Sequence, residues 1–388
     1  MKPGDLLTLN IEKVAHGGFC IARYENVVIF VRHCLPNEKV EAQLISLAPG
    51  KKSWFAQTVK VINASKFRRN SPCIYFKNDG CGGCDWMHTS ASYQRQLKLE
   101  VLIEQLERLG KNTHAREICR MNDVDPDEKN WRTKIRVVSN EKGDLGFRKY
   151  KSSEIQAIDK CLIADEQVNK TLSSLGKMSP GTEVELVKNN NEVMVLEKDR
   201  NNIQIKRQVN QENFEASGAG FWQVHPKSVE VLSELIEKEI NRMSVNSFLD
   251  LYAGVGVFSN VILKNFPSAM GYALESDRNA GENAKNNLSR FRQVKVLKQK
   301  VENWIFKNKE KFDLVVLDPP RSGAGVKVMQ SLCKKAKDKI IYIACDPASL
   351  ARDTAVAKDN GWILEKVEVF DFFPMTHHFE SVAVFTRG

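Results

Sequence analysis

Short runs of alternating apolar and polar residues, interrupted by Gly, Pro and Asn, fill residues 5–62. Strands are predicted at 6–11, 27–31, 39–47 and 54–62, and several short strands without a helical period predict a small β-barrel. At 92–109 the pattern changes, with Leu99, Leu102, Ile103, Leu106 and Leu109 recurring at helical spacing. Residues 111–130 are polar, carry Asp125-Pro126 and read as a connector. Strand-like runs return at 134–139, 144–148, 155–158, 183–187, 193–196 and 203–205, with Asn189-Asn190-Asn191 as a turn, which predicts a second, smaller β-rich domain. From about Gly218, strands at 248–252, 269–275, 294–297, 314–318 and 340–345 alternate with helical stretches. That alternation calls for a parallel sheet covered on both faces. The fold class is therefore α/β, divided as 1–62, 63–215 and 216–388, with helix 92–110 able to pack on the last part.

A chain of 388 residues is long for one core and fits two or three domains. Its net charge of +10 points to a polyanionic partner, with nucleic acid the leading candidate and a merely basic surface the alternative. Between Pro49 and Asn70 stand Lys51, Lys52, Lys60, Lys66, Arg68 and Arg69, no acidic residue, and the rings of Trp54 and Phe55. Cations for phosphates interleaved with flat rings for bases suit a surface that tracks a nucleic-acid backbone. The start lacks the apolar region of a secretory signal and the apolar runs are too short to span a bilayer, so a cytoplasmic, membrane-free protein is expected. Nine cysteines, an odd number, argue against a disulfide framework and for metal or catalytic use of some.

In the run from Asp250 to Phe258 a strand enters a glycine turn, Gly254 and Gly256, and then a helix. Glu275 ends the next strand 21 residues beyond Gly254, where a carboxylate can accept hydrogen bonds from both ribose hydroxyls. Ser259 replaces the third glycine of a dinucleotide fingerprint, so S-adenosylmethionine, which has a ribose but no pyrophosphate, fits better than NAD. Asp318, in Leu317-Asp318-Pro319-Pro320-Arg321, is a carboxylate held at a strand end by prolines, with a rigid turn as the other reading.

Cys345 follows the apolar run Ile340-Ile341-Tyr342-Ile343-Ala344 and precedes Asp346-Pro347. Ligands of open α/β sheets sit outside the carboxyl ends of the strands, so this thiol is a candidate nucleophile, although a packing role is open to any free cysteine. Uracil C5 is a poor nucleophile. A thiolate adding to C6 creates an enolate that attacks a methyl group through C5, and a base must then remove the C5 proton before the thiol can leave. Glu380 stands at the mouth of a final strand and is the candidate base; taken singly it would read as a surface ion-pair member, and His377 or His378 as loop histidines.

Asp-Pro-Pro-Arg at 318–321, Cys-Asp-Pro-Ala-Ser-Leu-Ala-Arg-Asp at 345–353 and Phe-Pro-x-Thr-x-His-x-Glu at 373–380, in that order, resemble the RNA uracil-5-methyltransferase family. The resemblance implies Cys345 as nucleophile and Glu380 as base. It puts S-adenosylmethionine contacts on Gln223, Tyr252, Glu275 and Asp318, with Gly254 in the cofactor turn. Asp346 stands where many members have Asn, and Val257 and Lys300 replace polar residues expected near the cofactor.

Cys73, Cys81 and Cys84, with Cys161 far downstream, provide four thiols, and Gly80, Gly82 and Gly83 let the backbone fold closely around a metal. Spacing alone leaves zinc and an iron–sulfur cluster both open, and the three-cysteine spacing of radical S-adenosylmethionine chemistry is missing. Cys20, Cys34, Cys119 and Cys333 have no partner pattern and are expected to pack. The resemblance extends to the iron–sulfur branch of the family, which carries a 4Fe–4S cluster and an N-terminal TRAM domain, an OB-type barrel that residues 1–62 resemble. It implies a Rossmann-like methyltransferase domain behind a TRAM barrel and a cluster-bearing central domain, acting as a monomer on RNA, with 23S rRNA favoured over tRNA. The rivals are tRNA 5-methyluridine formation, an RNA 5-methylcytidine enzyme, which usually carries Pro or Thr where Ala344 precedes Cys345, and a non-enzymatic metal-stapled RNA-binding protein, against which the joint retention of Cys345 and Glu380 argues.

Overall fold

In a computed structural model, which describes all residues except 49, 51, 125–127, 198–202 and 219, the amino-terminal strands close on themselves. β1 (Leu6–Val14), β2 (Cys20–Tyr24), β3 (Val27–Arg32), β4 (Lys39–Leu47) and β5 (Ser53–Asn63) form a barrel in the order β1-β2-β3-β5-β4. Alternate residues point inward, so Leu9, Ile11, Ala22, Ile29, Val31, Val40, Ala42, Leu44 and Ala56 fill its core. Trp54 belongs to that core at 7 % exposure, whereas Phe55 faces outward against Phe19 and Phe30, with ring centroids 5.1 and 5.6 Å away. The expected basic strip is also thinned by pairing. Arg68 is bound to the buried Glu38 and Arg69 to Glu128, while Pro49 and Lys51 lie outside the described residues.

The chain then forms α1 (Ala91–Arg108), α2 (Ala115–Ile118) and β6 (Cys119–Asn122). The 111–130 connector is thus corrected: β6 pairs in parallel with a strand near the carboxyl terminus, Cys119 opposite Val367, and that distant partner supplies the hydrogen bonds its polar sequence does not advertise. Asp125-Pro126 falls outside the described residues. Next come β7 (Lys134–Ser139), β8 (Leu145–Arg148), β9 (Ile155–Ala157), α3 (Glu166–Ser174), β10 (Glu183–Asn189) and β11 (Glu192–Glu197). They make a five-stranded antiparallel sheet, β11-β10-β7-β8-β9, with α3 laying Val168 and Leu172 on its core. A hairpin, β12 (Gln204–Val209) and β13 (Glu212–Ser217), stands apart and presses Ile205, Val209 and Phe214 against Val255 and Val257.

The rest of the chain is α4 (Ser228–Ile240), β14 (Ser247–Leu251), α5 (Val257–Asn265), β15 (Met270–Glu275), α6 (Arg278–Asn287), β16 (Val294–Lys298), α7 (Val301–Ile305), β17 (Phe312–Leu317), α8 (Val326–Lys335), β18 (Ala336–Ala344), α9 (Pro347–Asp359), β19 (Trp362–Phe370) and β20 (Glu380–Arg387). The sheet order is β16-β15-β14-β17-β18-β20-β19-β6. Successive strand residues feed opposite faces. Leu249, Val315, Leu317, Ile340 and Tyr342 join one core with residues of α1, α8 and α9, while Phe248, Leu314, Val316, Ile341 and Ile343 join a second with residues of α4 and α5.

Two differences from the sequence reading matter. Within 63–215, α1 packs Leu102, Ile103 and Leu106 on the core of the large sheet, as the sequence reading allowed, whereas β6 joins that sheet and the β12–β13 hairpin packs beside the glycine turn, neither of which it foresaw. The sheet is mixed, because β20 runs antiparallel to both β18 and β19. An apolar run such as Ser381-Val382-Ala383-Val384-Phe385 carries no mark of direction. Among the described residues, no helix is long and apolar enough to cross a membrane.

Candidate active site

One cavity of about 810 Å³ opens at the carboxyl ends of β14, β15, β17 and β18, and Gln223, Tyr252, Gly254, Glu275, Asp318, Cys345 and Glu380 all line it. The sequence reading named these seven residues, and the fold brings all of them together. Val257 and Lys300 line it as well.

The strand β14 hands the chain to Tyr252, whose φ is +61°, and then to the glycine turn. Gly256 has a φ of +88°, and a Cβ there would sit 2.8 Å from Leu288 Cδ1, so this turn admits no side chain. Gly254 N–H donates to Glu275 Oε2 at 2.9 Å and Asp277 N–H to Oε1 at 2.7 Å, which fixes the Glu275 carboxylate at the end of β15. Below it, Asp250 Oδ2 accepts from Ser259 N–H at 3.0 Å and from its hydroxyl at 2.6 Å. Ser259, the departure from the dinucleotide pattern, is thus the partner of a buried acid. Burial pushes the Asp250 carboxyl up to about 7 against those bonds. Sequence reasoning did not single out Asp250, although an aspartate inside an otherwise apolar strand was the signal.

The insertion of β20 decides the chemistry at the other wall. Ala344 faces Ser381 across the β18–β20 ladder, and the Ser381 hydroxyl donates to Ala344 O at 3.0 Å. One step further stand Cys345 and Glu380, and opposed residues of antiparallel strands hold their Cβ atoms about 4.5–5.5 Å apart. Glu380 is buried, and its Oε2 has no hydrogen-bond partner among the described residues. Burial, and then the charge of Asp318, raise its carboxyl well above the ordinary range, with Arg321 pulling the other way. Asp318 is pushed up to about 7 by burial and by Asp250 and Glu275. Burial, Glu380 and Asp318 push the Cys345 thiol up to about 12, again against Arg321. The resting cavity therefore holds a protonated thiol and acids reluctant to ionise, which is a setting that welcomes a cation.

The nucleophile's neighbour Asp346 caps α9 by accepting from Ser349 N–H at 2.7 Å, and its other oxygen lies 3.1 Å from His16 Nε2 in the β1–β2 turn of the barrel. Although burial opposes it, the bonds from His16 and Ser349 hold that carboxyl down at about 2. His378, in the loop before β20, is pulled to about 3 by burial and by His377 and Arg321, so it is neutral.

Away from the cavity, Cys73 and Cys161 pack beside the buried Cys84, and the thiols of Cys73, Cys81, Cys84 and Cys161 lie within electrostatic reach of one another. Gly82 is pressed against Tyr150, where a Cβ would come 2.9 Å from the backbone. Among the described residues no group of three or more His, Cys, Asp or Glu is arranged to hold a metal ion. Cys20, Cys34, Cys119 and Cys333 are buried.

The model of the tRNA (uracil-5-)-methyltransferase family matches residues 164–387. The chain belongs to that family. It is an enzyme, an RNA (uracil-5-)-methyltransferase. An uncharacterized RNA methyltransferase of Streptomyces avermitilis is 34 % identical over 98 % of this chain and 98 % of its own length. Another, from Corynebacterium glutamicum, is 30 % identical over 99 % and 97 %. Among solved structures, the Pyrococcus abyssi tRNA (uracil-54, C5)-methyltransferase in complex with S-adenosyl-L-homocysteine superposes with a TM-score of 0.72, covering 98 % of this chain and all of that one at 18 % identity, a likeness of fold.

Proposed function

We propose that this methyltransferase transfers the methyl group of S-adenosylmethionine to C5 of a uridine in structured RNA, with Cys345 as nucleophile and Glu380 as base. The observation that carries the reading is that Cys345 and Glu380, which flank the last β18–β20 pair Ala344–Ser381, line one cavity together with Gln223, Tyr252, Glu275 and Asp318, and that the Glu380 charge acts on the thiol. The residues present fit the donor. The glycine turn admits close approach, Glu275 is pre-oriented for ribose hydroxyls, and Gln223, Tyr252 and Asp318 complete the wall. When bound, S-adenosylmethionine supplies an electrophilic methyl group and a positive charge.

Burial holds the Cys345 thiol, Asp318 and Glu380 back from ionising, and a cation beside them favours the thiolate. Cys345 then adds through sulfur to uracil C6, and the C5–C6 electron pair moves toward C4 as an enolate. Collapse of the enolate would form the C5–methyl bond as the bond from that methyl to the donor's sulfonium sulfur breaks, its electron pair staying on sulfur, so that S-adenosylhomocysteine is left as a neutral thioether. Glu380 takes the C5 proton, the C5–H pair reforms the double bond, and sulfur leaves C6 with the electrons of the C–S bond. A base inside an RNA stack cannot reach Cys345, so the uridine must be swung out.

The barrel of residues 1–62 acts in this reading as a TRAM domain that binds the RNA. Its half-exposed Phe19, Phe30 and Phe55 cluster, with the exposed Lys151 ammonium 4.2 Å above Phe55, supports that role. Cys73, Cys81, Cys84 and Cys161 would hold a 4Fe–4S cluster. The four thiols act on one another electrostatically, which supports a shared ligand set. Large-subunit rRNA is the favoured substrate, because that resemblance goes with rRNA-acting members of the family.

Incubation with labelled donor and unmodified rRNA or tRNA, followed by digestion, tests the reading. 5-Methyluridine is expected, from rRNA rather than tRNA, with loss of product in Cys345→Ala and a covalent protein–RNA adduct in Glu380→Gln. Formation of 5-methylcytidine, or free turnover by Glu380→Gln, refutes it. Anaerobically purified protein should be brown, and colourless protein with stoichiometric zinc would refute the cluster.

A further inference from the structure

The loop that carries Glu380 into the cavity is held from outside the catalytic sheet, and one residue holds it next to the base. We propose that Asp85 is a positioning residue for proton abstraction, tying the cysteine loop to the loop 371–379. The proposal rests on the reading of Glu380 as base.

Met375, fully buried in that loop, has a φ of +72°, a conformation a non-glycine residue keeps only when its surroundings impose it. The surroundings come from the amino-terminal half of the chain. The N–H groups of Asp85 and Trp86 both donate to Met375 O, at 2.9 and 3.1 Å, and Met375 N–H donates to Gln94 Oε1 at 2.7 Å. Two residues on, a single carboxylate oxygen, Asp85 Oδ2, accepts from His377 N–H at 3.1 Å and meets His377 Nδ1 at 2.6 Å. This pair sets both the backbone position and the ring orientation of His377. The His377 ring lies 4.0 Å from that of His378, whose Nε2 is 3.5 Å from Arg321 Nη2, and Arg321 is the cation that opposes the raised acid at Glu380. Asp85 is thus the first member of a chain of contacts that reaches Arg321, whose charge acts on the base.

Asp85 has little freedom to move alone. It follows Cys84 directly, and a Cβ added to Gly18 in the β1–β2 turn would lie 3.0 Å from its Cγ, so the barrel packs over it. Neither residue of the pair belongs to the motifs that carry the reaction, since position 377 is a free place in Phe-Pro-x-Thr-x-His-x-Glu. Cys345, by contrast, is fixed by β18 and by the Asp346 cap of α9, which Asp85 does not touch. Loss of the tether should therefore spare thiol addition and methyl transfer, and slow the removal of the C5 proton.

The test mixes holoprotein, methyl donor and substrate RNA, and follows both released 5-methyluridine and the covalent protein–RNA adduct. Asp85→Ala should release product roughly 100-fold more slowly, the scale expected when a group is misplaced by about 1 Å, while adduct accumulates. Asp85→Asn keeps an oxygen acceptor for both His377 donors and should retain most of the wild-type rate. His377→Ala should also accumulate adduct, and it carries the test by the same criterion should Asp85→Ala not fold. Release at the wild-type rate by Asp85→Ala, or slow release without adduct, overturns the proposal, as does an Asp85→Asn variant as slow as Asp85→Ala. Glu380→Gln is the control: adduct there with none in Asp85→Ala removes the positioning role alone, whereas no adduct in Glu380→Gln removes the base assignment itself.

Discussion

Replacing Lys98 by Met isolates the charge that anchors the start of the same loop. Lys98 Nζ lies 2.5 Å from Asp371 Oδ1 and 3.1 Å from Phe373 O, and neither side chain of the pair reaches solvent to any useful extent, at 0 and 2 % exposure. Burial holds the Lys98 ammonium below the usual lysine range, against the pull of Asp371. Methionine keeps the length and packing of the stem, so the variant abandons a buried carboxylate and changes little else. Breaking one side of such a pair costs about 3–5 kcal/mol. A second route gives the same size: the carboxylate can escape by taking a proton, and neutralising an ordinary aspartate of pKa about 3.9 at pH 7 costs about 1.36 kcal/mol for each of about 3.1 units, or about 4.2 kcal/mol. The sign follows. In the variant the folded state prefers the protonated acid, so its folded pKa lies above the unfolded one and stability is lost as pH rises. The deficit should be about 4 kcal/mol at pH 7 and shrink to about 1.5 kcal/mol at pH 5. Urea denaturation of the transition that unfolds the large sheet, at both pH values, with the slope checked against wild type, measures it. The double variant with Asp371→Leu should recover most of the loss, because the abandoned charge is gone. A deficit under about 1 kcal/mol at pH 7, or one that does not change with pH, refutes the reasoning.

Trp54→Ala should lower stability by about 3–5 kcal/mol through loss of barrel core, whereas Phe55→Ala should cost clearly less stability and weaken RNA binding by about 1–3 kcal/mol in fluorescence anisotropy; the reverse pattern would undo the division of the two rings. Product release from the covalent adduct needs ionised Glu380, whose acid is raised by burial, so single-turnover release should rise with pH and fall as pH drops through that raised value. Arg321→Ala removes the opposing cation and should shift this limb to higher pH, and a shift to lower pH would contradict it. For Asp250, raised to about 7, the folded state favours the protonated form, so stability is lost as pH rises from the ordinary aspartate range toward 7. Asp250→Asn, which can still accept from Ser259, should gain on wild type by roughly 2–3 kcal/mol more at pH 8 than at pH 5 in thermal or urea unfolding, and an equal gain at both pH values would refute the burial argument.

What could be read from the chain was what local pattern encodes. The runs of β4 and β7 match the predicted strands to the residue, because alternation within them stops at turn residues on each side. Cys345 and Glu380 were legible because each breaks an apolar strand at its end, and their shared cavity followed. β6 was hidden, since Cys-Arg-Met-Asn becomes a strand only beside Val367–Phe370. Arg68 and Arg69 looked free because Glu38 and Glu128 are distant in sequence. Asp85 was invisible for the same reason, its partner lying 292 residues away. Most consequential was the direction of β20. A wholly parallel sheet brings only carboxyl ends of strands to the ligand edge. Turning one strand round brings an amino end there too, so the start of β20 meets the end of β18 from the opposite direction, with Ser381 paired to Ala344. That reversal requires a loop crossing the edge of the sheet; its Phe372 joins the core fed by α4 and α5, but the polar anchors of the loop come from elsewhere. Lys98, Gln94 and Asp85 supply the support from the amino-terminal half of the chain, which is why α1 and the cysteine loop belong to the architecture of the active site as much as the sheet does.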